Sequence, residues 1–268
     1  MGYCQERAGG GVCGLSKNNR SKIAGAPMRV LSNSNTKALK ARKAGWYQIT
    51  LELAPHTLSG YNVCQYSDGC EASCLFSAGR GRFDVVSSAR HARTHLLFED
   101  YEQFWARFDG EMYENLEQAG KLGLKVCVRM NTLSDLPFHR MYRPDGVTVF
   151  DAWPDLQFFD YTKRPLWDWP TVQAGAVNPI PNYHLTASWG ASWTVETMGP
   201  YIEQGINVAV VFQDKIPKRW GGAYVISGEK NDLRFLDTPS RVVGLLEKST
   251  PQKQAGRDSG FIQISEVA

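Results

Sequence analysis

Short apolar runs, set apart by longer mixed segments, form the pattern of the chain after residue 45. The first run, WYQITLEL (46–53), alternates apolar and polar positions and is rich in strand-forming residues, so it predicts a β-strand. Six later runs follow at 125–131, 156–162, 183–189, 207–212, 223–227 and 241–246. Several of them lack the alternation expected of a half-exposed sheet, which predicts strands that are buried on both faces.

Two segments between the first and second strands have helical spacing instead. Apolar residues recur at every third or fourth position in residues 84–97 and again in residues 99–119. Gly120 and Gly123 then end the second helix. Helices that alternate with buried strands predict an α/β fold, in which a parallel sheet forms a full or partial (β/α) barrel. In such folds the chemistry lies at the carboxyl ends of the strands.

The length and hydropathy of the chain narrow its class. With 268 residues, 43% of them hydrophobic, it has enough apolar surface for one sizeable core. It contains no apolar run of eighteen residues, and its first residues lack the features of a secretory signal. We therefore expect a cytoplasmic protein without a membrane partner.

Positive charge is concentrated at the start of the chain. Residues 1–45 contain nine Lys and Arg against one acid, Glu6, whereas the rest of the chain contains 21 basic and 26 acidic side chains. We predict that residues 1–43 are a basic, disordered arm and that residues 44–268 form a single α/β domain. Such an arm is able to hold a nucleic-acid backbone, although solvated basic tails are common. Alternatively, residues 1–27 are an upstream extension before a second start at Met28.

Three of the six cysteines lie close together in the loop expected after the first strand. Cys64, Cys70 and Cys74 have the spacing C-x5-C-x3-C, and three thiolates on one loop are a metal-ligand set. A zinc site needs a fourth donor, for which His91 or His95 on the following helix is a candidate. An iron–sulfur cluster would instead keep one iron open. The plain alternative is a surface loop with three reduced cysteines.

Polar side chains follow the predicted strands at the points where the strands end. The run VRMNTLSD (128–135) supplies a guanidinium, an amide and a carboxylate, which suit a zwitterionic or ribose-bearing ligand. The candidate residues at three strand ends are Arg129, Asn131, Ser134, Asp135, Lys163 and Ser188. Alternatively, these are loop residues that only cap helices. Neither a nucleotide-binding glycine pattern nor a hydrolase motif accompanies them.

Seven blocks of sequence in a fixed order resemble a known family. They are SGYNVCQYSDGCEASCLFSAGR, VRMNTLSD, QFFDYTK, NYHLTASW, NVAVVF, NDLRFLD and VVGLLEKS. Through them the chain resembles the phage gene product 88 domain family from about residue 44 to residue 261. The order of cysteine loop and polar strand ends is also similar, more weakly, to radical-SAM-like phage proteins related to spore photoproduct lyase. The cysteine spacing departs from their usual C-x3-C-x2-C, and no glycine-rich SAM motif is visible.

The second similarity implies a cofactor and roles for the candidate residues. It implies a 4Fe-4S cluster on Cys64, Cys70 and Cys74, with S-adenosylmethionine (SAM) at the open iron. It further implies contacts to SAM or substrate from Arg129, Asn131, Ser134 and Ser188, and catalytic roles for Asp135 and Lys163.

These resemblances leave functions of different classes open. One is a phage-encoded, radical-SAM-like enzyme of unknown substrate, which acts on nucleic acid or nucleotides in the host cell cytoplasm. Another is a zinc-stabilised phage protein that binds nucleic acid or a host protein without catalysis. A third is a barrel that keeps the cluster and has lost its activity.

Overall fold

The computed structural model describes residues 28–170, 179–248 and 253–265. The helices in these ranges are α1 (Thr36–Arg42), α2 (Asp84–Glu99), α3 (Tyr101–Lys121), α4 (Val149–Ala152), α5 (Val195–Glu203) and α6 (Lys253–Asp258). Within the described ranges, no helix is both long and apolar enough to cross a membrane. The predicted helices at 84–97 and 99–119 correspond to α2 and α3, and their predicted bounds differ from the observed ones by two residues at most.

Ten strands in the described ranges form one sheet. They are β1 (Leu31–Ser32), β2 (Trp46–Leu51), β3 (Lys125–Arg129), β4 (Gln157–Thr162), β5 (Tyr183–Ser188), β6 (Val208–Phe212), β7 (Arg219–Trp220), β8 (Ala223–Ser227), β9 (Val242–Leu246) and β10 (Ile262–Gln263). The strand order is β1-β2-β3-β4-β5-β6-β9-β8-β7, and β10 pairs with β6. All pairings from β2 to β8 are parallel, while β1 and β7 pair antiparallel with their neighbours. The predicted α/β class with a mainly parallel sheet is confirmed.

One face of the sheet, called here the outer face, packs against α3. The apolar side of α3 buries Phe104, Trp105 and Phe108 in the same core as Val128 of β3 and Phe158 of β4. Each large side chain removed from water in this way contributes roughly 1.5–3 kcal/mol. Burial of the apolar stripe therefore fixes α3 against the centre of the sheet.

The opposite face, called here the inner face, is covered by α1 and by the segment 228–237. Alternate residues of the strands point to it, so Cys127 and Phe159 lie on this side. They pack with Ala41 of α1 and with Leu233 of the segment. The central strands are thus buried on both faces, as their apolar runs predicted.

The sheet is strongly curved, as the contacts of α1 with strands near both of its ends show. α1 packs beside β2, yet Lys37 Nζ and Lys40 Nζ donate to the carbonyl oxygens of Gly228 (2.9 Å) and Glu229 (2.8 Å), which directly follow β8. Six strand spacings separate β2 from β8, which is roughly 29 Å in a flat sheet, whereas α1 is roughly 10 Å long. The strands therefore form a partial barrel with α1 and the segment 228–237 on its inner side.

The folded domain begins earlier than the sequence predicted. Residues 31–42, assigned above to a disordered arm that ends at residue 43, form β1 and α1. They fold because Ala38 and Ala41 are fully buried against the sheet. Part of the positive charge assigned to the arm, on Lys37 and Lys40, therefore bonds to other residues of the domain. The remaining part of the predicted arm, residues 1–27, lies outside the described residues.

The last described segment completes one part of the sheet. β5 pairs with β6 only as far as Ala209, and β10 then takes the same side of β6 at Val211 and Phe212. Before it, α6 packs on the turn at Cys70–Ser73, where a Cβ on Gly256 would lie 2.4 Å from the Ser73 hydroxyl. The end of the described chain therefore reaches the loop that carries the cysteines.

Candidate functional site

The cysteine loop, residues 52–83, leaves the carboxyl end of β2 and crosses the carboxyl ends of the neighbouring strands. Just past β3, the Asp135 N–H donates to the Val63 carbonyl (2.8 Å). Just past β5, the Ala191 N–H donates to the Asp68 carbonyl (3.0 Å). The loop is therefore anchored over the edge of the sheet where parallel α/β folds hold their ligands.

Gly69 determines where Cys70 lies. Its φ is +73°, and a Cβ at this position would lie 2.4 Å from the Ala191 Cβ. The preceding residue, Asp68, accepts hydrogen bonds from the Ser192 N–H (3.1 Å) and the Ser192 hydroxyl (2.7 Å). A left-handed glycine in close contact with the loop after β5 thus sets the direction of the chain at Cys70.

The three thiols are free, half-buried and in one another's electric field. Burial raises the pKa of Cys64 to about 12, against the opposing effect of the His56 N–H, which donates to Sγ (3.4 Å). Burial likewise raises the pKa of Cys74 to about 11, and the negative charge of Cys70 raises the pKa of both. A bound metal would replace these protons, since thiolates are the metal-binding form.

Lys163 directly follows β4, at the same edge of the sheet as the cysteine loop. Its Nζ donates to the Ser188 hydroxyl (2.6 Å) and lies 4.8 Å from the centre of the Phe261 ring. Burial lowers the pKa of Lys163, while the negative charges of Cys70 and Asp135 act in the opposite direction. The ammonium group therefore has a neutral hydroxyl and an aromatic ring as close partners, and the nearest thiol acts on it through space.

Asp135 connects the end of β3 to the end of β4. It accepts hydrogen bonds from the Thr162 hydroxyl (2.9 Å) and from the Lys163 N–H (3.0 Å), and Arg164 Nε lies 3.6 Å from the same carboxylate. Burial raises its pKa, which these partners oppose. The charge of Asp135 also acts on Cys64. Asp135 thus fixes the backbone from which Lys163 extends.

The structure brings six of the nine candidate residues together. We call this group the cysteine-loop site; its members are Cys64, Cys70, Cys74, Asp135, Lys163 and Ser188. It lies at the carboxyl ends of β2 to β5, on the edge that the sequence indicated.

The side chains of Asn131 and Ser134 bond to their own loop after β3, in a buried network, and not to the other candidate residues. Asn131 Oδ1 accepts from the Ser134 hydroxyl (2.8 Å) and from the Leu136 N–H (2.9 Å), and Asn131 Nδ2 donates to the Leu136 carbonyl (3.0 Å). Asp160 accepts from the Asn131 N–H (2.7 Å) and the Tyr183 hydroxyl (2.9 Å). These hydrogen bonds occupy the polar atoms of Asn131 and shape the loop.

Arg129 is not a member of the cysteine-loop site, because its guanidinium is paired elsewhere. It extends from the inner face of β3, where its guanidinium pairs with Asp232 and lies 4.7 Å from the centre of the Tyr161 ring. The Tyr161 hydroxyl donates to the same Asp232 (2.9 Å). The pairing with Asp232, a residue 103 positions later in the chain, holds Arg129 away from the thiols, and the sequence alone did not indicate this contact.

His56 is a residue of this region that the sequence analysis missed. Besides its N–H contact to Cys64, it has a φ of +53°, which is uncommon outside glycine, and its Nε2 is buried without a hydrogen-bond partner. The two histidines considered above have other partners: the ring of His91 bonds to the Ser87 and Leu58 carbonyls, and His95 bonds to Glu99. The sequence signal that could have identified His56 is its position within the cysteine loop.

The three thiols match a soft metal centre in donor type, but not in their arrangement in this structure. Among the described residues, no group of three or more His, Cys, Asp or Glu side chains is arranged to hold a metal ion. Yet Cys64, Cys70 and Cys74 share one loop and affect one another's charge, and thiolates select zinc and iron–sulfur clusters. These three side chains are the ones that would hold such a group.

Comparisons with known proteins define the family. The family model described as "Gene product 88" matches residues 29–263, which includes β1 and α1 as well as the rest of the domain. Searches of the curated proteins and of the solved structures gave no match. They lend no support to the weaker similarity to radical-SAM-like proteins. On the family match, over nearly the whole described chain, the protein belongs to the phage gene product 88 family.

Proposed function

We propose that the cysteine-loop site binds an iron–sulfur cluster and that the protein is a phage-encoded, radical-SAM-like enzyme of the host cytoplasm. The observation that carries this proposal is the position of three thiols on one loop, which is anchored over the strand ends that carry Lys163 and Asp135. Cys64, Cys70 and Cys74 would hold a 4Fe-4S cluster with one iron open, and the cluster would supply the electron for reductive cleavage of SAM.

Lys163 has the properties of an anion-binding group in this site. Its ammonium is desolvated, and it donates to a neutral hydroxyl instead of forming a close ion pair with Asp135, whose carboxylate accepts from the backbone N–H. A carboxylate of SAM or of the substrate would be an effective partner, since charge-assisted hydrogen bonds are the strongest kind. Ser188 would keep the ammonium in place, and Asp135 would position the chain at Lys163.

A zinc-stabilised binding protein without catalysis is the second candidate, and His56 favours it. A structural zinc site needs four donors. His56 has a buried, unpaired Nε2, and its backbone N–H donates to Cys64 Sγ. In this alternative Cys64, Cys70, Cys74 and His56 would form a Cys3His site. The protein would then recognise nucleic acid or a host protein with another surface.

Nucleic acid remains a proposed partner through the first residues of the chain. Four basic residues lie in residues 1–27, namely Arg7, Lys17, Arg20 and Lys22. They would bind phosphates by releasing counterions, so affinity for DNA or RNA should fall steeply with salt. Removal of residues 1–27 should abolish that salt-dependent binding. An unchanged affinity would exclude this segment as the binding element.

The test of the main proposal is anaerobic purification of the full chain, followed by measurement of iron, sulfide and zinc per chain and of the visible spectrum with and without SAM. Near-stoichiometric iron and sulfide, with a spectrum that SAM changes, is the expected result. Zinc without sulfide would overturn the iron–sulfur proposal and favour the Cys3His alternative.

Three variants test which side chains hold the metal. Cys70→Ser should lose the metal, whereas Cys127→Ala, a matched change at a fully buried cysteine on the inner face, should retain it. His56→Ala should retain iron and sulfide under the first proposal and should lose zinc under the second. A Cys70→Ser protein with an unchanged metal content would refute the site itself.

A further inference from the structure

A second group of buried polar side chains lies on the inner face of the sheet. We call it the inner polar cluster; its members are Arg129, Tyr161, His184, Thr186, Asp232 and Arg234. The register places them together: Phe159 pairs with His184 and Tyr161 pairs with Thr186 on adjacent parallel strands. The segment 228–237 brings Asp232 and Arg234 against these strands, where Arg234 acts on the charge of His184.

Several atoms of this cluster are buried without a hydrogen bond. They are Arg129 Nε, Arg234 Nε, Arg234 Nη1, His184 Nε2 and Thr186 Oγ1. Thr186 is fully buried and Arg234 is 2% exposed. Native proteins pair nearly all such groups with protein, water or ligand atoms, so five of them on one face favour an additional partner there. The Asp160 network on the outer face is satisfied by contrast.

The unpaired donors of the cluster favour a partner with several acceptor oxygens, although the formal charges of Arg129 and Arg234 are balanced by Asp232 and Asp237. Asp232 is already bound by Arg129 and by the Tyr161 hydroxyl. Arg234 Nη1 lies 3.0 Å from Asp237 Oδ2, but neither atom makes a well-directed hydrogen bond. The unsatisfied guanidinium donors therefore outnumber the available carboxylate acceptors. Guanidinium groups bind carboxylates and phosphates with particular strength.

The cluster lies directly below the cysteine-loop site. Tyr161 and Thr186 precede Lys163 and Ser188 by two residues on the same strands, so the side chains share one face of the sheet. Two residues along a strand correspond to roughly 7 Å. A ligand on the inner polar cluster would therefore extend toward Lys163.

We propose that the inner polar cluster binds a small ligand that carries a carboxylate or a phosphate. Arg129 and Arg234 hold the oxyanion, while Thr186 and His184 hydrogen-bond to the polar part of the ligand. Under the function proposed above, this ligand is the substrate or a part of it. The binding itself requires no metal, so it stands if the cysteine-loop site holds zinc or no metal at all.

The experiment is isothermal titration calorimetry of the full chain, purified without phosphate, with inorganic phosphate and with citrate as separate probes. Saturable binding of one probe, weaker at higher salt, is expected, and the two arms distinguish a phosphate site from a carboxylate site. Failure of both probes to bind in the millimolar range would overturn the proposal.

Variants then locate the binding. Thr186→Val is nearly isosteric and should weaken the probe about five-fold, the loss of one hydrogen bond. Arg234→Gln should weaken it further. Arg219→Gln changes an exposed arginine on β7 and should leave the affinity unchanged. Equal affinities in Thr186→Val and the parent protein would exclude this cluster. Cys70→Ser should bind the probe normally, which separates this test from the test of the metal site.

Discussion

The two faces of β4 differ in how completely their polar groups are paired. On the outer face, Asp160 accepts from the Asn131 N–H and from the Tyr183 hydroxyl, and the donors around it are used. On the inner face, the cluster around Tyr161 contains unpaired nitrogens of Arg129 and Arg234 and an unpaired hydroxyl on Thr186. Adjacent positions of one strand thus belong to a completed network and to an incomplete one.

This difference distinguishes the Asp160 network, which supports the fold, from the inner polar cluster, which we propose as a ligand site. A satisfied buried network rigidifies the loop that it supports, and removal of one member leaves its partners buried and unpaired. An unsatisfied cluster costs stability until a ligand or water completes it. Substitutions in the two networks should therefore change stability in opposite directions.

The largest effect is expected at Asp160. Asp160→Ala leaves the Asn131 N–H and the Tyr183 hydroxyl without their buried acceptor, and should lower the free energy of unfolding by about 3 kcal/mol. Urea denaturation followed by circular dichroism measures the change. Asp155→Ala, at an exposed aspartate just before β4, should change stability by less than about 0.5 kcal/mol. Similar losses for both variants would contradict the role of the network.

The pH dependence of stability should also show the state of Asp160. Burial raises its pKa to about 7, whereas an unfolded aspartate titrates near 3.9. The protonated form of Asp160 is thus favoured in the folded state. The stabilisation that it gives is fully present below pH 4 and is lost as the pH rises through about 7. In Asp160→Asn the decline should be absent, a difference of up to about 1.4 kcal/mol per pH unit between those limits. Parallel curves for the parent protein and the variant would refute the raised pKa.

The next prediction concerns Gly69, which precedes Cys70 in the cysteine loop. Gly69→Ala introduces a Cβ against Ala191 at a left-handed φ, whereas Gly60→Ala has a similar φ of +88° and open space around it. Each variant carries the left-handed strain of about 1–2 kcal/mol. Gly69→Ala should lose roughly 1–3 kcal/mol more, through the overlap. Equal losses in thermal or urea unfolding would show that the loop has room to move.

The smallest effect is expected at Thr186 and has the opposite sign. Thr186→Val replaces a fully buried, unpaired hydroxyl with a methyl group of the same shape. The ligand-free protein should gain about 1 kcal/mol in its free energy of unfolding. A loss of the same size would mean that the hydroxyl has a partner in solution, and the contrast between the two faces would disappear.

The strands and long helices were predictable because each buries an apolar pattern. β3, β4, β6 and β9 lie within the predicted runs, and the carboxyl-edge rule located Asp135, Lys163 and Ser188 near the cysteines. α1 was missed because its buried side consists of two alanines between lysines and arginines, a pattern that resembles a solvated tail. β7 and β10 are two residues long and carry no period.

The contact partners of the strand-end side chains could not be predicted from the sequence. Arg129 and Asn131 end the same strand run, but Arg129 pairs with Asp232, which is 103 residues later, and Asn131 turns into its own loop. His56 reaches Cys64 through a left-handed backbone turn, which no local pattern reveals. Such placements depend on contacts that are distant in the chain.

The order of synthesis adds a constraint on the site. Phe261, whose ring covers the Lys163 ammonium, and β10, which completes the edge of β6, follow every other element of the described domain. A ribosome therefore produces the cysteine loop, Lys163 and Ser188 well before the segment that shields them. Until that segment is released, the ammonium stays open to water and β6 lacks its partner at Val211 and Phe212, so Lys163 is shielded only after residue 263 has been synthesised.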